Sequence, residues 1–166
     1  MKKSSILAAA LLAASILLII YIYQMPIRKS YIFTLDTGDD ILVTCDTQKG
    51  RYNFQGSDSG FQVQDKQGNV LVQGRFSYDT SFDFYRNQAD LVASEVLREN
   101  DTEVMYIMTT QGLQTIKALQ VPDSRVTVIM ESTCDRNLAI EAISSVTVQA
   151  EHAEEEAEED DGGRNI

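Results

Sequence analysis

Residues 104–130 read VMYIMTTQGLQTIKALQVPDSRVTVIM, and the fold turns on this stretch. It divides into three β-type runs, 104–108, 113–120 and 126–130, separated by Gln111-Gly112 and by Pro122-Asp123-Ser124. The first and third runs are almost continuously apolar, the pattern of strands covered on both faces. Connections this short join neighbouring antiparallel strands rather than crossover pairs.

Working outward, YIFTL (31–35) and ILVTC (41–45) flank Asp36-Thr37-Gly38-Asp39-Asp40, and FQVQD (61–65) and VLVQGRF (70–76) flank Lys66-Gln67-Gly68-Asn69. Both pairs read as β-hairpins, with residues 56–60 as a loop before the second. Residues 84–100 switch to helical spacing: Tyr85, Ala89, Val92 and Val96 form a stripe with Ala93 and Leu97 beside it, opposite Arg86, Asp90, Glu95, Arg98 and Glu99. A short second helix follows over 138–143, with Ser132 and Asp135 as a capping-box match, and VTV (146–148) closes the domain as a last strand. The predicted order is four strands, helix, three strands, helix, strand. That is an α+β fold with a mainly antiparallel sheet of about seven or eight strands and two helices.

Residues 1–5 are short and basic, and 6–23 (ILAAALLAASILLIIYIY) are 18 uninterrupted apolar residues, roughly 27 Å as a helix and close to the hydrocarbon thickness of a bilayer. A cleaved signal peptide would need a shorter apolar core followed by a small-x-small site, whereas Ala13, Ala14 and Ser15 sit inside the run. The expectation is one transmembrane signal-anchor helix, a linker over 24–30, a soluble domain over 31–149 and a disordered acidic tail over 150–166. Lys2, Lys3 and the amino terminus face Arg28 and Lys29 across the run, a balance that leans towards a cytoplasmic N-terminus, so the expectation is a single-pass protein of a bacterial cell membrane with its domain outside the cytoplasm.

The formal charge of −11 is unevenly spread. Residues 1–29 hold four Lys/Arg and no acids, 30–150 hold nine Lys/Arg against 17 Asp/Glu, and 151–166 hold one Arg against eight acids. An acidic body without a basic patch is repelled by phosphate backbones, which argues against nucleic acid as a partner. The expected partners are the membrane, through the N-terminal helix, and an envelope protein. The tail cannot bury enough apolar surface to fold and reads as a solubilising segment.

In order and length, residues 31–149 resemble the PsbP-like domains, which include the bacterial DcrB-type lipoproteins. The likeness lies in the strand-rich first half, the central helix, and the ending in which the meander VMYIM, TIKAL, VTVIM leads into DRNLAIEAI and VTV. No signature motif is shared, and the chain has no lipobox cysteine. The resemblance implies an accessory or binding module without a specific catalysis.

Asp36-Thr37-Gly38 is the tripeptide that carries the catalytic carboxylate of aspartic proteases, and LDTGDD resembles the corresponding stretch of the retroviral-type enzymes, as DRNL (135–138) resembles their Gly-Arg-Asn-Leu. A chain of this size would have to dimerise to bring a second carboxylate to Asp36. The rest of the pattern fails: Asp135 stands where those enzymes place glycine, and Tyr31 begins only five residues before Asp36. Asp and Gly are also what a tight turn requires, so the turn is the expected role and the dimeric peptidase the alternative. The only histidine, His152, lies in the tail, which leaves no scaffolded imidazole base and no zinc set; no cofactor is expected.

Cys45 and Cys134 fall at the ends of two predicted strands. An extracytoplasmic disulfide between them and two separate buried thiols are equally compatible with the sequence. Asp36, Asp39, Asp40 and Asp46 could offer oxygens to calcium, but their spacing is not that of an EF-hand loop, and a solvated acidic turn is expected instead. Asn100-Asp101-Thr102 matches a glycosylation acceptor, which has no meaning in a bacterial setting. The leading reading is an anchored, extracytoplasmic binding or accessory module that is not an enzyme. A structural subunit of an envelope complex, packing through Ala9, Ala10, Ala13 and Ala14, is a third reading.

Overall fold

The computed structural model describes residues 12–17, 27–78 and 81–151. Residues 12–17 are helical (α1). There follow β1 (Arg28–Thr34), β2 (Asp40–Asp46), β3 (Asn53–Ser57), β4 (Gly60–Gln64), β5 (Val70–Tyr78) and α2 (Ser81–Val92). The second half is β6 (Glu95–Glu99), β7 (Glu103–Met108), β8 (Gln114–Gln120), β9 (Val126–Ser132), α3 (Arg136–Ser144) and β10 (Val146–Glu151).

The meander of 104–130 forms as its pattern demands: β7, β8 and β9 are antiparallel neighbours in a seven-stranded sheet ordered β3-β4-β5-β9-β8-β7-β6. Alternate residues face opposite ways, so Val104, Tyr106, Ile116, Ala118 and Ile129 meet Phe82, Tyr85 and Ala89 of α2 on one face. Met105, Val126, Val128 and Met130 join the larger core on the other, with Ala142 and Ile143 of α3. That second face is also covered by a three-stranded sheet, β1-β2-β10, whose Ile41, Val43, Cys45 and Val146 are buried against it.

The fold class is thus α+β with antiparallel sheets, but the expected single sheet of seven or eight strands is corrected to two sheets with ten strands among the described residues. Two strands were not foreseen. Residues 56 and 57, expected in a loop, complete β3, and the turn shrinks to Asp58 and Ser59 between the paired Ser57 and Gly60. The helix predicted over 84–100 stops at Val92, and residues 95–99 pair with β7 instead. The unpaired edge of β7 offers ladder partners to a short segment whose apolar residues fit either period, and tertiary pairing overrides local preference.

Both predicted hairpins form, and their turns share one geometry. Gly38 N donates to Leu35 O (2.8 Å) and Leu35 N to Asp39 O (2.9 Å); Gly68 N donates to Asp65 O (3.1 Å) and Asp65 N to Asn69 O (3.0 Å). Each turn ends on a glycine at positive φ, 84° and 86°, the left-handed position that glycine fills without steric cost. At α3 the N-cap is Asp135, whose Oδ1 accepts from Asn137 N at 3.0 Å, while Ser132 belongs to β9.

The domain boundaries also move outward: Arg28, Lys29 and Ser30, assigned to the linker, open β1, and Ala150 and Glu151, assigned to the tail, end β10 opposite Ile41 and Asp40. Apart from 12–17, the membrane helix expected over 6–23 lies outside the described residues, as do residues 152–166. No helix among the described residues is long and apolar enough to cross a membrane.

Candidate functional site

Lys117 is the most buried charged residue among the described residues, at 9 % exposure. Its position follows from register. On β8 it stands opposite Met105 of β7 and Met130 of β9, and so faces the larger core rather than α2. A lysine there needs a counter-charge, because an unpaired buried ammonium is costly.

Glu103 supplies it. The Asn100 side chain folds back on the β6–β7 turn, its Oδ1 accepting from Thr102 N (2.9 Å) and Glu103 N (2.8 Å), which fixes the start of β7. Asn100, read in the sequence as a glycosylation match, has this structural task. Glu103 lies one diagonal step from Lys117 across the ladder, and its Oε1 is 3.1 Å from Lys117 Nζ. Arg98 Nη1 donates to the same carboxylate oxygen at 3.3 Å from the β6 side.

Arg98 reaches this face through an irregularity. The β6–β7 register slips between Val96, which pairs with Tyr106, and Arg98, which pairs with Met105. In a regular strand Leu97 and Arg98 would point to opposite faces; at this bulge both line the same cleft. The cleft, about 440 Å³, has Leu97, Met105, Ile140 and Val146 as apolar walls, with Ser144 and Thr147 beside them. It is bounded by α3, the start of β10 in the three-stranded sheet, and strands β6, β7 and β8 of the large sheet. Two cations and one carboxylate give it a local charge of +1 in a body that is strongly acidic.

Among the described residues, four other recesses have no buried charged residue in their lining. A groove of about 470 Å³ between β1 and β3 has Tyr31 and Phe33 on one side and Asp36 and Asp58 along its length. Asp36 is exposed on the hairpin turn, and the turn's own polar contact is from Thr37 Oγ1 to Asp39 Oδ2 at 2.7 Å. Of the acidic positions considered for calcium, Asp46 is remote from the turn that holds the others: Asp40 and Asp46 close opposite ends of β2, about 20 Å apart at strand rise. Among the described residues no three His, Cys, Asp or Glu side chains are grouped to hold a metal ion.

Cys45 and Cys134 are both free thiols, so the disulfide alternative is not realised here. Cys45 pairs in register with Val146, just beyond the C-terminal end of α3, while Cys134 precedes its N-terminal end. Nine helical residues separate the two sites by about 13 Å, against a Cα separation below about 7 Å in a disulfide. Cys45 is fully buried with its Sγ 3.5 Å from Ser145 Oγ; burial, more than its other neighbours, pushes its thiol up from the ordinary value. Cys134 is partly exposed, its Sγ near the Val70 and Leu71 carbonyls. Iodoacetamide on the native protein is therefore expected to modify Cys134 alone, with Cys45 reacting only after denaturation. Peptide mass spectrometry reads this, and equal labelling of both thiols, or of neither without reductant, would contradict it.

No family model matches the chain, and neither a curated protein nor a solved structure does.

Proposed function

We propose that this chain is a membrane-anchored, extracytoplasmic binding or accessory module without catalysis of its own, and that the cleft around Lys117 is its ligand site. The observation that carries the reading is a buried lysine lining a cleft of about 440 Å³ whose wall is divided about evenly between apolar and polar side chains. Small-molecule sites combine apolar walls with convergent polar groups in volumes of about 300–1,000 Å³, and this cleft, more polar than most, sets Leu97, Met105, Ile140 and Val146 beside Lys117, Arg98 and Glu103. The apolar run at 6–23 supports the anchor, and the accessory role agrees with what the resemblance to PsbP-like domains implies. The peptidase alternative gains no support from the position of Asp36, which is that of a turn corner.

The test uses the full chain in lipid nanodiscs with methionine methyl groups labelled for NMR. Met105 lines the cleft, whereas Met108 packs on the opposite face against the α2 cluster. A panel of small aliphatic and aromatic acids, alcohols and amines is expected to move the Met105 resonance and leave Met108 in place. A panel that leaves Met105 unmoved, or moves both alike, would remove the cleft from consideration.

A further inference from the structure

We infer that the ligand of this cleft is a monocarboxylate with an apolar body, held through its carboxylate by Lys117 and Arg98. The inference rests on the reading of the cleft as the ligand site. The protein already shows that a carboxylate fits between the two cations, since Glu103 lies within 3.1 Å of Nζ and 3.3 Å of Nη1. Lys117 Nζ carries three N–H donors and Arg98 a planar fork of five, more than one carboxylate oxygen can use. A guest carboxylate shares or displaces Glu103 and meets charge-assisted donors from two directions.

The sign and size of the local charge narrow the class further. A cationic guest meets two like charges. A dianion is opposed by Glu103, which leaves a net charge of +1, suited to a monoanion. A divalent cation would require several oxygens where the site has one carboxylate. Leu97, Met105 and Ile140 give an apolar body a surface to cover, so the head and the body of such a molecule are each matched.

A purely structural ion pair accounts for Lys117 and Glu103 but leaves two features without a cause. An apolar pair of similar volume would hold a sheet face at least as well. The bulge that turns Arg98 into the cleft adds a second cation whose side chain stays 64 % exposed, at a position where it stabilises little. Binding an anion gives both features a use.

Titration of the nanodisc-embedded chain with 4-phenylbutyrate, 4-phenylbutanol and 4-phenylbutylamine, followed at the Met105 methyl, separates head from body. The acid is expected to bind at least about 10-fold more tightly than the alcohol, and the amine more weakly than either. Lys117→Met is expected to bring the acid to the affinity of the alcohol. Should that variant fold poorly, Arg98→Gln at the exposed rim is expected to weaken the acid several-fold and leave the alcohol unchanged. An alcohol that binds as tightly as the acid in the unaltered protein overturns the carboxylate assignment while leaving the cleft as a site; if none of the three moves Met105, both readings fall.

Discussion

Glu103→Leu is expected to destabilise the protein by about 3–5 kcal/mol, because it strands the ammonium of Lys117 in the core face without its counter-charge. The two side chains are only 11 % and 13 % exposed, so solvent screens their interaction little. Lys117→Met alone is expected to cost less, since Glu103 keeps Arg98 as a partner. The double variant Glu103→Leu, Lys117→Met should return to within about 1 kcal/mol of the starting stability, as buried pairs exchanged for apolar residues of similar volume do. Urea unfolding with an unchanged m-value measures all three. Losses that simply add, or a single loss below about 1 kcal/mol, would mean that water in the cleft solvates the ammonium well enough to stand in for Glu103.

The second large effect is expected at Gly74, where alanine should cost about 3 kcal/mol although strand propensity alone favours alanine over glycine. Gly74 pairs with Phe61 across β4 and β5, and an added Cβ would lie 2.1, 2.3 and 2.4 Å from three atoms of the Phe61 ring. The ring cannot easily yield. It is 2 % exposed and sits among Phe54, Phe76 and Phe33 with centroids 5.7, 6.2 and 6.3 Å away. Phe61→Leu in the Gly74→Ala background should recover part of the loss by vacating the space the methyl needs. A single variant as stable as the parent would show that the aromatic cluster repacks freely, contrary to the density expected of a core.

The sequence carried the central meander plainly, because 104–108 and 126–130 are almost continuously apolar and only a strand between two layers needs that. The two hairpins were equally legible, since a glycine at the left-handed position leaves a chemical mark. β3 and β6 were not: each is five residues long with one inward apolar side chain, Phe54 or Leu97, too few for a period to show. Lys117 was passed over because a lysine in TIKAL reads as the wet side of a strand. Yet β8 lies between two strands covered on both faces, so its lysine had to be covered as well and had to have a partner. Arg98 was less accessible still, since the bulge that orients it is a property of the pairing with β7 and has no local residue signature.

The β1-β2-β10 sheet unites strands from the two ends of the domain: β2 lies between Arg28–Thr34, the first strand made, and Val146–Glu151, the last. The bond between Asp46 N and Ser145 O closes a loop of about a hundred residues, an entropic demand that only a largely assembled chain can meet. Folding therefore has a late step that local structure cannot bring forward, as is general for folds dominated by non-local pairing. Until synthesis delivers β10, one edge of β2 and the apolar surface beneath it wait uncovered, and that interval is when a nascent chain is most open to capture by another copy or by a chaperone.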